Sequence, residues 1–149
     1  MNKIHKKFIV WMSILCSSVL LGDVQVSIPT VGGVVNGDQL QIPITVSDVT
    51  GENIFSYYGR ILYDETVLEV SGVSVDETLS SAWTGQPTIN TSIEGQITFA
   101  FFGAFSPLSG EGELLYLDCN VFGEDQSFSP LSFDFFVFNE GNPSVITQD

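Results

Sequence analysis

The segment QLQIPITVS, residues 39–47, puts Leu40, Ile42, Ile44 and Val46 on one side and Gln39, Gln41, Pro43, Thr45 and Ser47 on the other. A period of two marks a strand buried on one face only, because successive strand side chains point to opposite sides of a sheet. Pro43 has no N–H to give to a ladder, so this strand is expected at a sheet edge, or with that position turned away from its pairing. Similar patterning predicts strands near 24–29, 55–63, 67–75, 88–92, 96–104, 113–122 and 131–138, with Gly, Asn, Asp and Pro clusters between them. No stretch keeps a helical period for three turns. In a chain of 149 residues this predicts one all-β domain, a two-sheet β-sandwich with jelly-roll topology.

Residues 1–22 depart from that pattern. Lys3, Lys6 and Lys7 precede the apolar run FIVWMSILCSSVLL, and Ser18 or Gly22 offers a small residue for cleavage. This is the pattern of a signal peptide, too short for a comfortable membrane span, with a retained N-terminal anchor as the alternative. The folded domain is therefore expected at 23–149, secreted to the cell exterior or its surface. Cys16 lacks the small preceding residue expected before a lipidated cysteine.

Removal of that leader changes the charge balance. All 18 Asp and Glu lie from Asp23 onward, whereas Arg60 is the only Lys or Arg there, for a net charge of −17. Such a domain repels nucleic acid and anionic lipid, so neither is an expected partner once the leader is gone.

The same inventory removes most catalytic schemes. With His5 in the leader, residues 23–149 hold no His and no Lys, which excludes Ser-His-Asp and Cys-His arrangements, Schiff bases and Ser-Lys pairs. Two carboxylates acting on a glycosidic bond remain chemically open, but among 18 acids a suitably spaced pair has almost no specificity. No catalytic residue is assigned, and no enzyme activity is expected. Glu111 and Glu113, Asp76 and Glu77, and Glu124 and Asp125 offer oxygens to calcium, yet none has the spaced acidic loop of a dedicated site, so no metal and no cofactor are expected. Asn90-Thr91-Ser92 fits a glycosylation triplet of high chance frequency. Cys119, the only cysteine outside the leader, shares a strand face with Leu117 and Val121 and reads as a small buried hydrophobe.

Four segments in order carry a family resemblance: NGDQLQIPITVSD, NIFSYYGRILYDETVLEV, SGEGELLYLDCNVF and FNEG. Together they resemble a cohesin domain, the receptor module that binds dockerins in cellulosome scaffolds. The resemblance implies a non-catalytic binding module with a dockerin-type partner, any calcium dependence belonging to that partner. It also implies that one flat sheet face does the binding, including the strand that ends at Tyr63-Asp64 and the strand before the Gly-rich turn. On this chain the outward positions of the first strand are Ser56, Tyr58, Arg60 and Leu62, with Tyr57, Gly59, Ile61 and Tyr63 turned inward. The second strand contains ITFAFFGAF, where Phe99, Phe101, Phe102 and Phe105 cannot all point inward unless a bulge turns the extra rings into the core. Phe99 and Phe101 complete the expected partner-binding set.

The family pattern also calls for a further turn and short strand after FNEGNPSVITQD. The last strand is therefore expected to be missing and the chain to be a fragment. Carbohydrate-binding modules share this sandwich and stack sugars on exposed aromatic rings, so direct binding of a polysaccharide is the alternative function. Its one Trp after the leader, Trp83, is the candidate platform, the other reading being a lid over the open end of the core.

Overall fold

A computed structural model describes residues 23–30, 35–124 and 127–149, so residues 1–22, where a leader is expected, lie outside the described residues, as does Asp125. Nine strands form in chain order: β1 (Val24–Ser27), β2 (Gln39–Val46), β3 (Ser56–Leu62), β4 (Leu68–Ser74), β5 (Thr88–Asn90), β6 (Gln96–Phe102), β7 (Gly112–Val121), β8 (Ser132–Phe138) and β9 (Val145–Gln148). They make a five-stranded sheet, β4-β7-β2-β1-β9, and a four-stranded sheet, β5-β6-β3-β8. Most connections carry the chain from one sheet to the other, as a jelly-roll sandwich requires.

Eight of these strands coincide with the predicted segments. The ninth, β9, corrects the expectation of a missing last strand: it pairs in parallel with β1 from Val24 opposite Val145 to Ser27 opposite Gln148. Of the two placements expected for β2, the sheet edge is corrected, since the strand lies in the middle of its sheet, whereas Pro43 does lie outside the pairing with β1. Pro43 is tolerated there because β1 pairs only with Thr45 and Val46, while Pro43 faces Tyr116 of β7 on the other side.

The two inner faces differ in chemistry. The five-stranded sheet contributes aliphatic side chains and Cys119, among them Val26, Ile42, Ile44, Val70 and Leu117. A register shift beside Ile44 leaves Leu114 and Leu115 both buried, since a bulge sends two consecutive residues inward. The four-stranded sheet contributes Tyr57, Phe99, Phe101, Phe136 and Phe138. Tyr57 stacks between Trp83 at 5.6 Å and Phe136 at 6.1 Å, with Phe99 and Phe101 meeting it edge-on. Gly59 sits opposite both Phe99 and Phe136, and a Cβ there would come within 2.9 Å of each ring. The missing side chain makes room for two aromatic neighbours.

Candidate functional site

The Tyr63-Asp64 corner is a structural joint. Tyr63 N–H donates to the Gly95 carbonyl, closing β3 onto the turn before β6. The Asp64 carboxylate accepts from the Thr66 N–H at 2.9 Å and from its hydroxyl at 2.6 Å, and these bonds hold the Asp64 carboxyl below its usual range. The Asp64 carbonyl accepts from the N–H groups of Val67 and Leu68, which starts β4. At the opposite end of β3, Asn139 of the FNEG segment plays a similar part. Its Oδ1 accepts from Phe55 N–H, and its Nδ2 donates to the carbonyls of Asn53 and Asn142. Asn139 has a positive φ of 45°, a conformation that Asn tolerates better than most residues.

Pinned at both ends, β3 runs between β6 and β8 and displays Ser56, Tyr58, Arg60 and Leu62 outward, as expected. Phe99 and Phe101 require a correction. They are only 1% and 4% exposed and belong to the aromatic core, because β6 pairs with β3 without a register break and its alternation sends both rings inward. The same alternation turns Thr98, Ala100 and Phe102 outward. Phe102 is 70% exposed, and Phe105, in the loop that follows, is 90% exposed.

Sequence reasoning missed the contribution of β8. A register shift between Arg60 and Ile61 inserts Asp134 as an extra residue, so Phe133 and Phe136 turn inward while Phe135 and Val137 pair across from Arg60 and Tyr58. The alternation in SFDFFVF is interrupted at that bulge, which hides the faces from a period-two reading.

Three strands meet at Arg60. Its Nε donates to Thr98 Oγ1 at 3.1 Å, its Nη1 donates to Asp134 Oδ2 at 3.1 Å, and its guanidinium lies 5.1 Å from the centre of the Phe135 ring. Phe135 in turn packs on Tyr58 at 4.9 Å. The outer face of this sheet thus presents Tyr58, Leu62, Phe102, Phe135 and Val137 around one internally compensated ion pair.

The outer face of the five-stranded sheet is different. There Gln39 bonds Asn120, Gln41 bonds Asp118, and Asn120 bonds Glu69, giving a polar, solvated surface.

Trp83 is 6% exposed. Its Nε1 donates to the Ser106 carbonyl and its ring lies over Gly103, where a Cβ would come within 2.2 Å of Nε1. Stacked on Tyr57, it covers the core and offers no open ring face to a sugar. The hydroxyls of Tyr57 and Ser80, beneath it, are buried without a partner of hydrogen-bonding geometry, and burial raises the Tyr57 phenol well above its ordinary pKa. Near the Tyr63 end of β3 a cleft of about 420 Å³ is lined by Glu65, Glu69 and Glu94. Among the described residues no cluster of three or more His, Cys, Asp or Glu is arranged to hold a metal ion.

Comparison with known proteins agrees with this architecture. Among curated proteins none matches the chain. CaCohA2 from Clostridium acetobutylicum, solved in solution, is 25% identical, superposes with a TM-score of 0.66, and the match covers 84% of this chain and 85% of that one. The sixth cohesin of Acetivibrio cellulolyticus scaffoldin B, solved in complex with a Cel5 dockerin, is 19% identical with a TM-score of 0.68, covering 86% of this chain and 95% of that one. A type I cohesin–dockerin complex from Clostridium thermocellum gives 16% identity, a TM-score of 0.67, and coverage of 84% and 95%. The family model described as the cohesin domain matches residues 24–147, well over half of the chain. The chain belongs to the cohesin domain family.

Proposed function

We propose that this domain is a non-catalytic binding module whose partner is a dockerin-type domain, docked on the outer face of the four-stranded sheet. The observation that carries the choice of face is the contrast between the two outer surfaces. One is polar and hydrogen-bonded to itself, whereas the other exposes aromatic and aliphatic side chains around an ordered arginine. Aromatics and arginine at the centre, with few free charges, is the composition of a protein interface core. Within that face Ser56, Tyr58, Arg60 and Leu62 are the proposed contact residues, joined by Phe102, Phe135 and Val137. Phe99 and Phe101 support the face from beneath. The leader pattern at 1–22 supports secretion and, with it, a role in extracellular polysaccharide degradation or surface assembly.

The test is binding of variants to a panel of calcium-loaded dockerins and to insoluble polysaccharides. Tyr58→Ala or Leu62→Ala is expected to weaken the dockerin complex by roughly 1 to 4 kcal/mol, the range for buried interface anchors. No variant should retain on polysaccharide or hydrolyse it. Polysaccharide retention that disappears in Trp83→Ala, with no dockerin bound by the unaltered protein, would reject this reading in favour of direct carbohydrate binding.

A further inference from the structure

The register of β5 brings an exposed asparagine to the outer face of the four-stranded sheet. Thr88 and Asn90 pair with Ala100 and Thr98 of β6, and directly opposed residues of an antiparallel pair point to the same side of the sheet. Thr98 is one of the outward residues and accepts from Arg60 Nε, so Asn90, Thr98, Arg60 and Phe135 form one cross-strand row. Two strand spacings separate the ends of the Asn90–Arg60 part of that row, roughly 10 Å of backbone separation.

Asn90 opens the triplet Asn90-Thr91-Ser92. It is the only Asn-x-Ser/Thr triplet of the chain open to glycosylation, since Asn142-Pro143-Ser144 is barred by its central Pro. Its place in the fold lifts it above a chance match. All three residues are exposed. Asn90 Oδ1 accepts from the Ser92 N–H at 2.9 Å and from the Ser92 hydroxyl at 2.7 Å, and neither bond uses Nδ2. β5 itself is three exposed residues paired with β6 alone. An edge segment of that kind opens locally at little cost, which gives a transferase the backbone around Asn90 without unfolding the sandwich.

We propose that Asn90 is the acceptor of an N-linked glycan, and that this glycan closes the docking face to its partner. In the transfer, Asn90 Nδ2 attacks C1 of the first sugar of a polyprenyl-diphosphate-linked oligosaccharide. The new Nδ2–C1 bond replaces the C1–O bond to the diphosphate, which leaves with the electron pair, and one Nδ2 proton passes to a base of the transferase. Export by the leader expected at 1–22 takes the chain to the membrane that carries such donors. Attached there, a bulky and hydrated glycan stands at the end of the Arg60 row and keeps a partner from settling on Tyr58 and Arg60. The closure rests on the reading that this face docks a dockerin. The acceptor assignment does not.

The experiment secretes the full chain from a host that carries an oligosaccharyltransferase, beside a glycoprotein control, and reads intact mass before and after treatment with peptide N-glycosidase. One glycan is expected, retained in Thr91→Ala and absent from both Asn90→Gln and Ser92→Ala. The glycosylated protein and Asn90→Gln are then compared on a panel of calcium-loaded dockerins that includes the Cel5 dockerin. The glycosylated form is expected to bind at least about tenfold more weakly, as an interface deprived of its anchors does. An unmodified chain beside a modified control overturns the proposal, as does a glycan that persists in Asn90→Gln. Equal dockerin affinity of the glycosylated protein and Asn90→Gln overturns the closure and leaves the acceptor standing. Absence of dockerin binding by Asn90→Gln and by the unglycosylated protein overturns the closure together with the dockerin reading, while the mass still decides the acceptor.

Discussion

Single residues decide how tightly the inner faces close. Cys119 lies 3% exposed between Leu117 and Val121, and burial pushes its thiol up to about 12. Its thiol should resist alkylation in the folded protein and react only on unfolding, which mass spectrometry after brief native labelling would show. In the unfolded chain the thiol ionises near its ordinary value of 9.0. The contribution of this group to stability is therefore complete below about pH 9 and declines as pH rises towards 12, since the unfolded chain loses the proton first. Gly59 is the other sensitive position. Gly59→Ala drives a methyl group into Phe99 and Phe136, and overpacking of this kind costs about 1 to 3 kcal/mol, readable in chemical denaturation.

At the scale of elements, strand order follows from a few joints. Asp64 turns β3 into β4, and Asn139 ties the end of β8 to the start of β3 through three backbone groups. Asn139→Ala removes those bonds and leaves a non-Gly residue at positive φ. The expected loss of stability is about 1 to 3 kcal/mol, with the largest rise in hydrogen exchange at the Phe55 amide. The bulge at Asp134 is another such joint, because it lets Asp134 and Phe135 face outward in succession and so builds the clamp around Arg60. Strand existence was legible wherever alternation was clean, as in β2 and β3. It was not legible in β9, four residues of which only Val145 and Ile146 are apolar, because its pairing with β1 is made between segments more than a hundred residues apart.

The whole molecule is a strongly acidic sandwich with one apolar outer face. Eighteen acids against one arginine in residues 23–149 repel one another, so moderate salt at neutral pH should raise the thermal midpoint by a few degrees, roughly what relief of about 1 kcal/mol gives in a domain of this size. A midpoint that falls with added salt would show that attractive pairs outweigh the repulsion.

Composition and period determined the sandwich, the absence of His and Lys from residues 23–149 and the two alternating rows of β3, and the cohesin resemblance implied that Ser56, Tyr58, Arg60 and Leu62 form the outward row. Those properties depend on residue type and on which side of a strand a residue occupies, and both are local. Which Phe residues of β6 reach the surface depended on where the alternation was anchored, and only the pairing of β6 with β3 fixed Phe99 and Phe101 inside and Phe102 outside. Tertiary structure alone turned Trp83 into a lid, since its burial arises from Tyr57, Phe101 and Gly103, residues distant in the chain. It alone joined Asp134, Phe135 and Thr98 to Arg60, because a cross-strand neighbour is set by register, and register is a property of the assembled sheet.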